Sequence, residues 1–283
     1  MPDLKYSLSA PMLAGVGDLK RLGLMTEGAA HMGLEEYKPF SEIMVSGHGP
    51  YLKNGVRWNV AAIDDKFRNE SIKEMLDYVD MVRHIPNLKQ VNLHFPAKRW
   101  KDAAQPNGHY GTYDRMVEAF RQIADAADKH GIEIVLENGN AHWTGISDDV
   151  AADQVDWSDR NWSFGAAPEE WTGICVDIDR PNVGLCLDSS HLATYSHTIA
   201  DEDLRRRTAL SFLDKPELIR HVHWNDNFLY EMKGRTDQHA LLGKGTLPVE
   251  IHRGIRKLDA TLHLEHFYSI GELEEELEYI DGL

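Results

Sequence analysis

Short apolar runs rich in β-branched and aromatic residues alternate with longer amphipathic stretches along the chain, as expected when helices join parallel strands. Eight runs predict strands: Lys5–Ser9, Ala29–Met32, Ile43–Ser46, Gln90–Leu93, Glu133–Leu136, Val183–Leu187, Ile219–Trp224 and Leu262–Glu265. Between them, apolar positions at helical spacing predict helices over Asp64–His84, Tyr113–His130, Asp201–Leu213, Pro248–Leu258 and Gly271–Ile280. Eight strands with interleaved helices predict an α/β protein closed into a single (β/α)8 TIM barrel, with residues 1–283 as one domain. No linker or low-complexity tract divides the chain, and no repeat is visible beyond the βα alternation. The irregular stretch is 139–170, which holds Trp143, Trp157 and Trp162. In a barrel it would lie over the active face, either as a functional loop or simply anchored there by its tryptophans.

A chain of 283 residues buries enough surface to fold without disulfides or structural metal, so any metal it binds reads as catalytic. Its two cysteines, Cys175 and Cys186, form no metal-binding or redox pair and read as buried thiols of a reducing cytoplasm. There is no basic-then-apolar leader and no run of roughly 20 apolar residues, so the expectation is a cytoplasmic protein without a membrane partner. The net charge of −16, from 46 acidic and 30 basic residues, argues against non-specific nucleic-acid binding unless bound cations or a local basic rim offset it. Part of that acid is remote from any site, since GELEEELE at Gly271–Glu278 reads as the solvated face of a last helix.

The 15 histidines change the picture through their positions. At or just after the predicted strands stand His48 in SGHGPYL, His94 in VNLHFP, Glu137 in IVLENG, Asp188 and His191 in GLCLDSSH, His223 in HVHWND and Glu265 in LHLEH. In a parallel barrel these positions converge on one mouth. Any one of them alone reads as a hydrogen-bonded rim residue; seven at equivalent positions point to a shared ligand set. Glu137 after IEIVL and Asp188 after VGLCL would each carry charge into an apolar interior, which is costly unless paired. Divalent metal is the expected partner. Asp237 and His239, in GRTDQHALLGKG, are one residue apart and within reach of a common ion. His31, His84, His109, His130, His142, His197, His252, His263 and His266 fall on helices, loops or flanking positions and are set aside.

These motifs resemble the endonuclease IV family of apurinic/apyrimidinic endonucleases, within the xylose-isomerase-like barrel superfamily, from about Ile43 to Glu265. The motifs that carry the resemblance are HGPYL, LHFP, LEN, Asp-x-x-His at Asp188 and His191, HWND, RTDQH ahead of GKG, and LHLEH. The resemblance implies three zinc ions. Glu137 would bridge two of them, His48 and His94 completing the first and Asp188, His223 and Glu265 the second; His191, Asp237 and His239 would hold the third. Tyr51 and Leu52 would wedge into a DNA stack at the lesion, and Arg235 would join them on the substrate side. His221 shares the face of His223, which is preferred for its His-x-x-Asp spacing to Asp226. The chain departs from the family pattern in YSLSA at the first strand, in Gly139 and Asn140 after LEN, and in Phe95-Pro96 after His94.

Two enzyme classes follow. The first is a zinc-dependent phosphodiesterase cleaving abasic DNA, with Glu137 and Glu265 central to catalysis and clustered zincs generating hydroxide. The alternative is a sugar isomerase or epimerase, in which one Mn2+ or Mg2+ held by Glu137, Asp188, His223 and Glu265 binds a small sugar while a carboxylate moves a proton. The five further ligands favour the nuclease, and the net charge favours the sugar enzyme. A non-catalytic scaffold ranks last, because it leaves the inward polar groups without a use.

Overall fold

The computed structural model describes residues 6–9, 15–30, 32–101, 110–266 and 269–283. Eight strands, β1 Tyr6–Ser9, β2 Met25–Gly28, β3 Met44–His48, β4 Gln90–His94, β5 Glu133–Glu137, β6 Val183–Asp188, β7 Ile219–Trp224 and β8 Thr261–Leu264, pair in parallel. They close into a barrel in which each strand neighbours the next and β8 returns to β1. This is the (β/α)8 TIM barrel that the alternating pattern predicts.

Helices wrap the barrel where the 3.6-residue periodicity places them. In the helix Asp65–Val82 the buried residues Phe67, Ile72, Met75, Tyr78, Val79 and Val82 recur at helical spacing, and Asp64 starts the helix by accepting from the Phe67 amide at 2.7 Å. The helix Pro168–Ile178 leads into β6; its buried Trp171 donates from Nε1 to the Leu136 carbonyl at 2.9 Å, fixing the helix against β5. No helix among the described residues is long and apolar enough to cross a membrane.

One strand differs from expectation. The second strand is Met25–Gly28, not Ala29–Met32, and it pairs with β1 and β3. The apolar run was misleading because the real strand, MTEG, points the charged Glu27 inward and lacks an apolar signature. Four ligand-bearing strands also run further than predicted, so that His48, His94, Glu137 and Asp188 are their last residues.

The irregular segment 139–170 folds over the C-terminal end of the barrel and carries its own small core, in which Trp143 and Ala152 are buried and Trp157 and Trp162 pack against them. Trp162–Ser163 pairs antiparallel with Ala97–Arg99 from the loop after β4. The tryptophans therefore anchor the loop. Arg235 completes the anchor: its guanidinium lies 4.0 Å from the Trp143 ring and donates to the carbonyls of Val150 at 2.8 Å and Ser147 at 3.4 Å. Placing Arg235 on the substrate side is thus corrected, since it is buried and spent on the loop.

A second loop, after β7, is organised by Asp226. Its Oδ2 accepts from the amides of Gly243 at 3.0 Å and Gly245 at 2.9 Å, and its Oδ1 from Asn227 at 2.9 Å. Only glycine fits at 245, because a Cβ there would lie 2.3 Å from Asp226 Oδ1 and 2.4 Å from the Asn227 carbonyl. Asp226→Ala should cost about 2–4 kcal/mol by taking the acceptor from the buried amides of Asn227 and Leu247 and from the partly buried ones of Gly243 and Gly245. The expected readout is a lower thermal midpoint with faster amide exchange over residues 226–247. An unchanged midpoint with unchanged exchange would contradict this role.

Candidate metal centre

The parallel register brings the strand ends level: His94 pairs with Glu137, Asp188 with His223, and His48 with Asn92. Glu265 follows β8 immediately, and the loop held by Asp226 brings in Asp237 and His239. All nine residues expected from sequence as metal ligands meet at this mouth.

They fall into three contiguous sets. In the first, His48 Nε2 lies 3.0 Å from His94 Nε2 and 3.8 Å from Glu137 Oε2, while His94 Nε2 lies 3.2 Å from the same oxygen. In the second, His223 Nδ1 lies 3.1 Å from Glu265 Oε2, 3.5 Å from Glu137 Oε2 and 3.9 Å from Asp188 Oδ2. In the third, His191 Nε2 and His239 Nε2 approach the two oxygens of Asp237 at 3.2 and 2.9 Å, with Asp188 Oδ2 3.6 Å from His191. Glu137 is common to the first and second sets, and Asp188 to the second and third.

Four of the five imidazoles are oriented from behind. His48 Nδ1 donates to the Gly49 carbonyl at 2.9 Å, His191 Nδ1 to the Asn138 carbonyl at 2.8 Å, and His239 Nδ1 to the Glu265 carbonyl at 2.8 Å. All three thereby turn Nε2 toward the centre. His223 is reversed, because its Nε2 meets Glu27 Oε1 at 3.1 Å and Nδ1 faces the carboxylates. An imidazole tied by one nitrogen and open at the other is the arrangement that metal ligands use. Asp188 is divided in the same way, its Oδ1 capping the helix Ser189–Ser196 through the amides of Ser190 and His191 while Oδ2 faces the site. Asn92 donates to Glu137 Oε2.

Burial favours the neutral form of every carboxyl here, yet most are held ionised. His94 and His223 outweigh burial at Glu137 and keep it well below the usual carboxylate range; His223 and His239 lower Glu265. Asp188 is the exception, pushed by burial up to about 6 although His191 opposes the shift. Burial also works against charged imidazoles, but Asp188 and Asp237 outweigh it and raise His191 to about 10, while Glu265 and Asp237 raise His239 to about 11. In the metal-free chain these protons supply the positive charge that the carboxylates require.

Sequence reasoning missed Glu27, misled by the displaced second strand; it ranked His221 behind His223 and set aside His263, and both lie beside Glu27 in the barrel interior. His142 also belongs to the mouth: with Arg57, Asn140 and Ser163 it walls a narrow pocket beside Glu137. Tyr51 and Leu52 stand on the rim, 36% and 49% exposed, and the Tyr51 ring stacks on His94 at 4.7 Å. Of the histidines set aside, His31 and His109 lie outside the described residues. His197 is bonded to the Phe228 carbonyl, and His252 accepts from the Trp224 indole.

The sequence model of the xylose isomerase-like TIM barrel family matches residues 34–283. The chain belongs to this family. Among curated proteins, this xylose isomerase-like barrel is similar to the probable endonuclease 4 of Chlorobium luteolum, with 28% identity over 138 residues. That match spans 48% of this chain and 45% of the relative, less than half of its length. Among solved structures, a D-tagatose 3-epimerase-like protein superposes with a TM-score of 0.67 at 18% identity, covering 98% of both chains. A D-psicose 3-epimerase in the presence of D-fructose gives 0.60 at 17% identity, covering 98% of this chain and 97% of that one. At such identities the likeness to these structures concerns the fold.

The residues of this xylose isomerase-like barrel fit a divalent metal. Asp188 Oδ2, His223 Nδ1 and Glu265 Oε2 are buried, face one another and make no hydrogen bond among the described residues. Unsatisfied lone pairs that converge in this way are costly unless a cation takes them. Binding at these atoms must displace the proton on His223, which Cys186, Glu265 and Glu137 hold well above the usual imidazole range against the effect of burial, and an ion in the third set must also displace those on His191 and His239, which are raised to about 10 and 11. Zinc affinity measured by chelator competition should therefore rise between pH 6 and pH 8, by about tenfold per unit for each proton released. An affinity independent of pH would show that these imidazoles are not displaced.

Proposed function

We propose that the protein is a divalent-metal-dependent sugar epimerase or isomerase that moves a proton on a carbon next to a carbonyl. The observation that carries this reading is the placement of Glu137 and Glu265. They rise from strands β5 and β8, well separated around the barrel, and approach the same His223 nitrogen at 3.5 and 3.1 Å. Two carboxylates thus flank one position. A divalent ion held by Glu137, Asp188, His223 and Glu265 would polarise a substrate carbonyl and its neighbouring hydroxyl. Glu137 is then placed to take the proton from one side of the carbon, and Glu265, after it has picked up a proton from solvent, to give one on the other. Asn140, His142 and Ser163 offer hydrogen bonds to sugar hydroxyls in the pocket beside Glu137. The epimerase names of the structural relatives agree with this reading.

The rim supports a small substrate over a duplex. A DNA backbone is gripped by Lys and Arg on phosphates. Here Lys53 pairs with Glu74, Lys98 with Glu170, Lys101 with Asp159 and Lys233 with Glu231, while Arg99 donates to the carbonyls of Arg160 and Trp157. These cations of the mouth-side loops are engaged by the chain itself, in a molecule of net charge −16.

A second reading, phosphodiester hydrolysis of abasic DNA with up to three zincs, is favoured by one specific observation. The sets built on His48 with His94 and on His191, Asp237 and His239 exceed what a one-ion isomerase needs, and the exposed Tyr51 and Leu52 would then contact the DNA.

The two readings separate in D2O. The metal-loaded protein incubated with ketohexoses should incorporate deuterium next to the carbonyl, and Glu137→Gln and Glu265→Gln should each reduce this by about 10²–10⁴-fold with the fold retained. Cleavage of an abasic duplex without exchange into any ketose, together with loss of one ion in Asp237→Ala with His239→Ala, would overturn the epimerase reading in favour of the nuclease.

A further inference from the structure

Beneath the metal centre the barrel interior holds a second layer of polar side chains. Glu27 is 3% exposed, His221 and His223 are fully buried, and His263 is 1% exposed. Glu27 stands on β2 level with Ser46 of β3, and it reaches across the closed barrel to β7. There its Oε2 meets His221 Nε2 at 2.9 Å and its Oε1 meets His223 Nε2 at 3.1 Å. His263, level with His223 on the neighbouring strand, has Nε2 4.0 Å from Oε1 and Nδ1 3.0 Å from Ser7 Oγ.

Burying a carboxylate among three imidazoles is expensive, and apolar side chains could fill the same layer at lower cost. The arrangement makes sense through His223. A neutral imidazole carries one N–H, so when Nε2–H donates to Glu27 the lone pair must sit on Nδ1, the atom facing Glu137, Asp188 and Glu265. His221 engages the other carboxylate oxygen, which keeps Glu27 from rotating away. We propose that Glu27 is a positioning residue that fixes the tautomer and ring orientation of His223 for metal binding, with His221 as its brace. This rests on the metal centre described above and assigns it a supporting residue that the strand-end pattern does not contain.

The test is zinc and cobalt affinity by chelator competition on the full-length protein, comparing wild type with Glu27→Gln and Glu27→Asp. Glu27→Gln has one acceptor oxygen for two imidazole donors, and Glu27→Asp keeps the charge but withdraws it from His223. Both variants should bind about 10–100-fold more weakly, and the visible spectrum of the cobalt-loaded protein should change. His221→Gln, which loosens the brace while leaving the direct Glu27–His223 contact in place, should weaken binding by less than either Glu27 variant. A merely structural Glu27 would lower the thermal midpoint of the metal-free protein while leaving affinity and cobalt spectrum unchanged, and that result overturns the proposal. If Glu27→Gln does not fold, Glu27→Asp alone decides. A wild type that takes up no zinc or cobalt would overturn the metal centre and this proposal with it.

Discussion

The whole mouth depends on charge compensation in a buried place. Glu137, Asp188, Asp237 and Glu265 meet His48, His94, His191, His223 and His239 within a few ångströms, where burial works against the ionised forms of the four carboxyls and of His94, His191, His223 and His239. Carboxylates so close together cannot all stay ionised without positive charge among them. Protons on His191, His223 and His239 supply it in the bare chain, and divalent cations supply it better because one ion neutralises several oxygens at once. The backbone amides that cap Asp188, the carbonyls behind His48, His191 and His239, and Glu27 behind His223 all aim lone pairs at the same space.

That constraint explains features that otherwise look local. The loop after β7 is held by Asp226 because Asp237 and His239 must arrive at fixed positions from an irregular segment. The segment 139–170 needs a core of its own, with Arg235 clamped on Trp143, because it covers the mouth without the support of a regular element. Asn138 joins β5 to β6 through both its amide atoms, keeping Glu137 and Asp188 in step.

Much of this was legible in the sequence, for a physical reason. A mostly apolar strand that ends in a metal-ligand residue announces both its direction and its function, so His94, Glu137 and Asp188 could be placed at one end of a barrel from the sequence. The apolar pattern misleads where polarity sits inside a strand. MTEG carries no apolar signature, so β2 was drawn four residues late and Glu27 was passed over. His221 was read as a lesser copy of His223 because one strand cannot reveal what reaches it from across the barrel. Arg235 was misjudged because a motif gives the residue type but not the direction of its side chain, which here turns toward the loop carbonyls of Ser147 and Val150.

The central claim, that this mouth is a divalent metal centre organised on Glu137, Asp188, His223 and Glu265, is tested most directly by anomalous diffraction. Crystals of protein purified without chelator and supplied with zinc or manganese would be measured at the metal's absorption edge. The account predicts an anomalous peak within bonding distance of His223 Nδ1 and the three carboxylates, with any further peaks confined to the His48–His94 and His191–Asp237–His239 sets. A map with no peak at the mouth, or with peaks only elsewhere on the molecule, would contradict it.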